Sequence, residues 1–170
     1  GVELWRDFPG QLCERTGLQV VAYDRLGFGQ SAPCPGELPL DFIDDEAARF
    51  FPLLREALGI GRFIAFGHSV GGAMASACAA RHAGDCQALI TESAQAFVED
   101  RTLDGIRTAK AQFAEPGQMT RLARYHGDKA QWVLDAWTET WLSDAFAHWT
   151  LESIVPRLHC PLLAPVSYTH

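Results

Sequence analysis

The residue whose surroundings point most directly to chemistry is Ser69, set in Gly67-His68-Ser69-Val70-Gly71. A Gly-x-Ser-x-Gly pattern carries meaning when a strand precedes it and a helix follows it, because the serine then occupies a very tight strand-to-helix turn, a nucleophile elbow. Such a turn forces backbone angles that ordinary residues tolerate poorly. It also brings the positions two before and two after the serine so close together that glycine is the comfortable occupant of both. The hydroxyl is then presented at the positive end of a helix, where backbone N–H groups can stabilise an oxyanion. The competing reading makes Ser69 only the N-cap of a packing helix.

The flanks favour the first reading. Residues 62–66 are rich in branched and aromatic apolar side chains. Residues 70–80 carry Gly71, Gly72, Ala73, Ala75, Ala77, Ala79 and Ala80, as a helix lying tightly against a sheet would need. The spacing predicts a strand over 62–66 and a helix over 70–82.

The remaining elements follow from turn signals and periodicity. Residues 3–15 read as an amphipathic helix around Leu4, Trp5, Phe8 and Leu12, broken or bent at Pro9-Gly10 and ended by Gly17. Leu18–Tyr23 reads as a strand buried on both faces. The following Gly27-x-Gly29 lacks the third glycine and the immediate helix of a dinucleotide fingerprint. Asp24 and Arg25 are instead expected to organise a loop whose turns the glycines permit. A helix is expected from Asp41, as cap, to Leu58, kinked at Pro52 and closed by Gly59 and Gly61. A short strand follows at Cys86–Thr91. Strand, helix, strand in alternation implies a mostly parallel sheet with helices on both faces.

Residues 97–150 contain no convincing strand and hold helical segments separated by Pro116-Gly117 and Gly127-Asp128. Trp132, Trp137, Trp141 and Trp149 lie here, with Val133, Trp137 and Trp141 on one helical face. Such an insertion is a candidate cap whose large apolar side chains would select a small apolar or aromatic substrate; the alternative is that these tryptophans simply pack the insertion onto the main domain. Leu162 and Leu163 open one more strand.

A chain of 170 residues is long enough for a real core. Its formal net charge of −7 argues against nonspecific attraction to nucleic acid or an anionic membrane. It has no apolar run of spanning length and no signal-peptide pattern at its start. Cysteines 13, 34, 78, 86 and 160 are odd in number and contain no Cys-x-x-Cys pair, which fits a reducing, cytoplasmic setting, with Cys78 as a small core residue.

Three motifs together, Tyr23-Asp24-Arg25-x-Gly27-x-Gly29-x-Ser31, Gly67-His68-Ser69-Val70-Gly71-Gly72 and Cys160-Pro161-Leu162-Leu163-Ala164, resemble the α/β-hydrolase superfamily of capped serine hydrolases. The likeness implies residues 1–94 as a partial hydrolase core, 95–152 as a helical cap insertion and 153–170 as the start of the returning core. By this resemblance Ser69 is the nucleophile and the Val70 N–H an oxyanion donor, with no cofactor and no metal. Glu92, after the next strand, stands where a minority of these enzymes place the triad acid. The family's N-terminal strands, including one that normally separates strand 18–23 from strand 62–66, and its C-terminal strand and helix are expected to be missing. The histidines available as a base are His68, His82, His126, His148, His159 and His170. The implied activity is hydrolysis of an ester or related carbonyl compound through an acyl-enzyme. C–C bond hydrolysis, cofactor-free haloperoxidase chemistry and noncatalytic ligand binding are the alternatives on the same fold.

Overall fold

A computed structural model describes residues 1–166. The chain divides into two compact units, Gly1–Leu38 with Asp100–Ser143 and Pro39–Glu99 with Asp144–His170.

The second unit holds the sheet. Its strands β1 (Phe63–His68), β2 (Cys86–Glu92) and β3 (Leu162–Leu163) are parallel, in the order β1-β2-β3. Between β1 and β2 runs a twelve-residue helix, here called α4 (Val70–Arg81). Every residue of α4 from Gly72 to Ala80 is buried. On one side it meets β1 and β2. On the other it meets a segment comprising helix α2 (Phe42–Asp45) and the π-helical turn Glu46–Phe50. Small side chains make this approach possible: a Cβ on Gly72 would collide with Ala94. The one hydroxyl inside the helix, on Ser76, donates back to the Gly72 carbonyl at 2.8 Å, so no polar group is left unmatched there. Ile43 and Leu89, each 1% exposed, are the most completely enclosed large apolar side chains of this unit.

The sheet is covered unevenly. Residues 63, 65 and 67 of β1 face the packed side, whereas Ile64, Phe66 and His68 are exposed. The register aligns Ile64 with Ala88 and Phe66 with Ile90, and Ile90 with Leu163. Paired residues of parallel strands share a face, so these side chains form one apolar surface.

The predicted helix from Asp41 is present in three pieces, α2, the π-helical turn and helix α3 (Phe51–Leu58). Asp41 precedes it without a side-chain capping bond. Pro52 sits in the first turn of α3, where a missing N–H costs nothing. The irregularity therefore falls ahead of the proline. Gly59, at φ 62°, closes α3 in the left-handed conformation.

The first unit is helical. Helix α1 (Phe8–Thr16) begins where the sequence suggested a break, because Pro9 occupies its first turn. The break lies instead at Arg6, after a 3-10 turn at Val2–Trp5. Gly17 ends α1 with φ 69°. Helices α5 (Asp100–Phe113), α6 (Gln118–His126) and α7 (Ala130–Leu142) complete the unit. Of the face expected on α7, Val133 and Trp141 are buried but Trp137 is exposed.

The strand expected at Leu18–Tyr23 does not form. Its residues suit a strand, but a ladder needs a neighbour, and none of the three strands pairs with them. Residues 167–170 of the sequence, including the candidate base His170, lie outside the described residues.

Candidate functional site

Strand β1 runs two residues further than predicted, through His68, and α4 begins at Val70. Ser69 is therefore the whole of the turn between them. Its backbone sits at φ 55° and ψ −126°, which makes it one of three non-glycine residues with positive φ among the described residues. That conformation is costly for a side chain with a Cβ, by about 1–3 kcal/mol. The turn persists because both flanks hold it. The Ser69 N–H donates to the Glu92 carbonyl at 3.0 Å, and its carbonyl accepts from Gly72 N at 2.9 Å and from Gln95 N at 3.3 Å.

Gly67 is the steric condition of this turn. A Cβ placed there would run into the backbone carbonyl of Gly71. Although Ser69 occupies the N-cap position, its side chain makes no capping hydrogen bond, so the hydroxyl is not committed to the helix terminus. Val70, as the first residue of α4, contributes an N–H with no carbonyl partner inside the helix. Ser69 and Val70 are both half-buried.

Glu92 is the last residue of β2 and pairs with His68 across the sheet. One carboxylate oxygen lies 3.0 Å from His68 Nε2, and the other accepts from Ser93 Oγ at 2.8 Å. Ser93 itself has φ 48°.

Two further imidazoles have hydrogen-bond partners of their own. His82 Nε2 is 3.1 Å from the Ala47 carbonyl. His126, in the first unit, is buried, and its Nδ1 accepts from the Gly29 N–H at 2.9 Å. This contact fixes the neutral tautomer with the proton on Nε2. Burial lowers its pKa from the ordinary value.

The loop after Asp24 is organised as its residues suggested. The Asp24 carboxylate accepts from Val2 N at 2.7 Å and Gln30 N at 3.0 Å, and its carbonyl accepts from Ser31 Oγ at 2.6 Å. Burial works against the charged carboxylate, but the N–H groups of Gln30 and Val2 outweigh it and hold the pKa below the usual value. At Gly29, φ is 52° and a Cβ would strike the Asp24 carboxylate. Arg25 stacks on Phe28, with its guanidinium carbon 4.3 Å from the ring centre. The sequence gave no signal for the His126–Gly29 contact, which joins residues 97 positions apart. Lys129, donating to the Ser31 carbonyl at 2.7 Å, was equally hidden.

Two of the four tryptophans considered as cap walls have packing partners inside their own units, and a third is buried. Trp132 meets Phe28 edge-on at 5.4 Å and donates to the Gly36 carbonyl at 2.7 Å. Trp141 is 3% exposed, and Trp149 stacks on Phe146 at 5.5 Å. A cavity of about 340 Å³ in the first unit is lined by residues including Asp24, Gln30, Arg121, Tyr125 and His126; Ser69 is not among them. Cys78, enclosed in α4, has its thiol pushed up to about 12 by burial, as fits a packing residue. Among the described residues no helix is long and apolar enough to cross a membrane.

Comparison with known proteins agrees with this arrangement. Over 99 residues, the chain is 30% identical to the human, Pongo abelii and Sus scrofa proteins named 1-acylglycerol-3-phosphate O-acyltransferase ABHD5. That match covers 58% of this chain and 28% of each relative's length. Among solved structures, a carboxylesterase of the ammonia-oxidizing thaumarchaeon Nitrososphaera gargenis superposes with a TM-score of 0.67 at 23% identity, covering 97% of this chain and 67% of that one. NosK from Streptomyces actuosus gives 0.62 at 27% identity, covering 94% and 69%. Proline iminopeptidase from Mycobacterium smegmatis gives 0.63 at 20% identity, covering 95% and 67%. The family profile described as alpha/beta hydrolase fold matches residues 1–149. With β1, the Ser69 turn and α4 in the order that fold requires, the chain belongs to the alpha/beta hydrolase fold family.

Proposed function

We propose that this chain carries the nucleophile of a serine hydrolase acting on an ester or related carbonyl compound, with Ser69 in that role. The observation that supports it is the backbone of Ser69: a non-glycine residue held at φ 55° between a strand and a twelve-residue helix, with its hydroxyl uncommitted to capping. Strain of this kind persists where the surrounding structure insists on one geometry.

In the proposed reaction a general base removes the Ser69 proton as its oxygen attacks the substrate carbonyl. The Val70 N–H, at the positive end of α4, takes part of the negative charge that develops on the carbonyl oxygen. The leaving group departs, and water attacks the acyl-enzyme to release the acid. Glu92, already held by His68 and Ser93, is the candidate acid for orienting that base. Residues 95–152 are proposed as a cap insertion between residues 1–94 and 153–170 of the core, and a small apolar or aromatic carbonyl compound as substrate. The odd number of cysteines and the lack of a Cys-x-x-Cys pair in the sequence support a reducing, cytoplasmic setting.

Fluorophosphonate labelling of the native protein, with Ser69→Ala as control, tests the assignment. Label on Ser69 that disappears in the variant is the expected result; labelling that does not depend on Ser69 would overturn it.

A second reading changes only the acceptor. The matched relatives are named as an O-acyltransferase, and an acyl-enzyme can be resolved by an alcohol as well as by water. Product analysis with a competing glycerol-type alcohol separates the two, since transfer yields a new ester where hydrolysis yields a free acid.

A further inference from the structure

Cys86 opens β2, and Cys160 stands two residues ahead of β3. Their sulfurs lie 3.7 Å apart. The two thiols are not equivalent. Cys86 belongs to the core cluster with Ala65, Ala75, Ala79 and Leu89, while Cys160 is partly exposed at the edge of that cluster. Residues 158–161 belong to no helix or strand, so Cys160 can move without breaking an element. A disulfide needs its sulfurs at about 2.05 Å, so the pair closes by a shift of roughly 1.6 Å, within reach of side-chain rotation and a small adjustment of that loop.

We propose that Cys86 and Cys160 form a redox modification site that accepts low-molecular-weight disulfides of the glutathione class and closes to an intramolecular disulfide. The reachable sulfur acts first. The Cys160 thiolate attacks one sulfur of oxidised glutathione, forming a mixed disulfide and releasing one glutathione thiolate. Cys86 then gives up its proton and attacks the Cys160 sulfur. The Cys86–Cys160 bond forms and the second glutathione leaves. Two protein thiols are oxidised and one small disulfide is reduced to two thiols. Burial, reinforced by the hydrogen bond with Cys160, holds the Cys86 thiol above its ordinary pKa, so Cys86 is not the thiol that reacts first, and its attack in the second step relies on the closeness of the two sulfurs.

The bridge would act on the last segment of the sheet. Leu89 N donates to the Pro161 carbonyl at 2.9 Å, and Ser93 N to the Pro165 carbonyl at 3.0 Å. A covalent tie at Cys160 therefore fastens residues 160–165 to β2, as far as the residue next to Glu92.

The test is equilibration of the purified chain in graded mixtures of reduced and oxidised glutathione, followed by alkylation and peptide mapping. The expected result is a Cys86–Cys160 cross-linked peptide and a rise in Tm of about 5 °C or more, reversed by a dithiol reductant. Cys86→Ser should stop at glutathione on Cys160, and Cys160→Ser should abolish both bridge and shift. Cys13→Ser and Cys34→Ser should leave the bridge intact. A bridge that forms only in denaturant, or no Cys86–Cys160 peptide at any ratio, overturns the proposal. So does an unmodified Cys160 in Cys86→Ser.

Discussion

His68 Nε2 lies 3.0 Å from the Glu92 carboxylate, and the carbonyl of the same Glu92 receives the N–H of Ser69. One residue thus closes both the side-chain and the main-chain contact between the ends of β1 and β2. The side-chain contact is the weaker, since His68 and Glu92 are 55% and 41% exposed and water screens the pair. Glu92→Gln should therefore cost no more than about 1 kcal/mol in urea unfolding. If Glu92 orients the catalytic base, the same variant should lower kcat by tenfold or more with KM unchanged; an unchanged kcat removes it from the machinery.

Ser69 offers a stability test that is independent of activity. Glycine at this position relieves the positive φ, whereas alanine does not. Ser69→Gly should be more stable than Ser69→Ala by about 1 kcal/mol or more, while both lose fluorophosphonate labelling. Equal midpoints for the two in urea would mean that the turn carries no strain.

Gly67 and Gly10 should respond oppositely to the same added methyl group. At Gly67 the new Cβ meets the Gly71 backbone, which cannot withdraw without moving α4. Gly67→Ala should cost about 2 kcal/mol or more. At Gly10, inside α1, nothing lies within 4 Å of the added atom. Gly10→Ala should gain about 0.5–1 kcal/mol. Thermal melts of the two variants beside the parent suffice to check both signs.

Acid should weaken the first unit in two stages. The folded pKa of His126 is depressed by burial, so on acidification the unfolded chain takes up a proton first, below about pH 6.5. Stability present above that value is lost until the folded imidazole also titrates. Asp24, depressed by the N–H groups of Gln30 and Val2 against the opposing effect of burial, adds a second loss below about pH 4, ending once the folded carboxyl is protonated. His126→Asn keeps an acceptor near Gly29 but cannot take up a proton. In urea titrations across pH 4–8 it should remove the upper stage and leave the lower one.

Thr138, on α7, is fully buried, and its hydroxyl has no hydrogen-bond partner. Replacing that hydroxyl by a methyl of similar shape removes an unmet desolvation cost. Thr138→Val should stabilise the chain by about 1 kcal/mol. A loss of stability in thermal unfolding would imply that a bound water serves the hydroxyl.

Much of the second unit was legible in the sequence because its signals are local and redundant. The apolar run before Ser69, the glycines around it and the alanines after it all demand the same turn, and β1 and α4 follow within two residues of expectation. Leu18–Tyr23 failed for the opposite reason. Val20 and Val21 have the chemistry of a strand, but strand formation depends on a partner that a local run cannot reveal. Pro9 was misplaced because a proline that ends one helix and a proline that starts the next look alike without the flanking φ values; only Arg6, at φ 48°, tells them apart. The links from His126 to Gly29 and from Cys86 to Cys160 join residues far apart in the chain, and nothing in either neighbourhood announces the other.

The nine consecutive enclosed residues of α4 have a mechanical meaning. A helix gripped on every side cannot slide along its axis or roll about it unless both its walls are rebuilt, so the position of its first peptide group is settled when the chain folds. Any ligand arriving at Ser69 would meet a part already machined to tolerance, with none of its binding energy diverted to alignment.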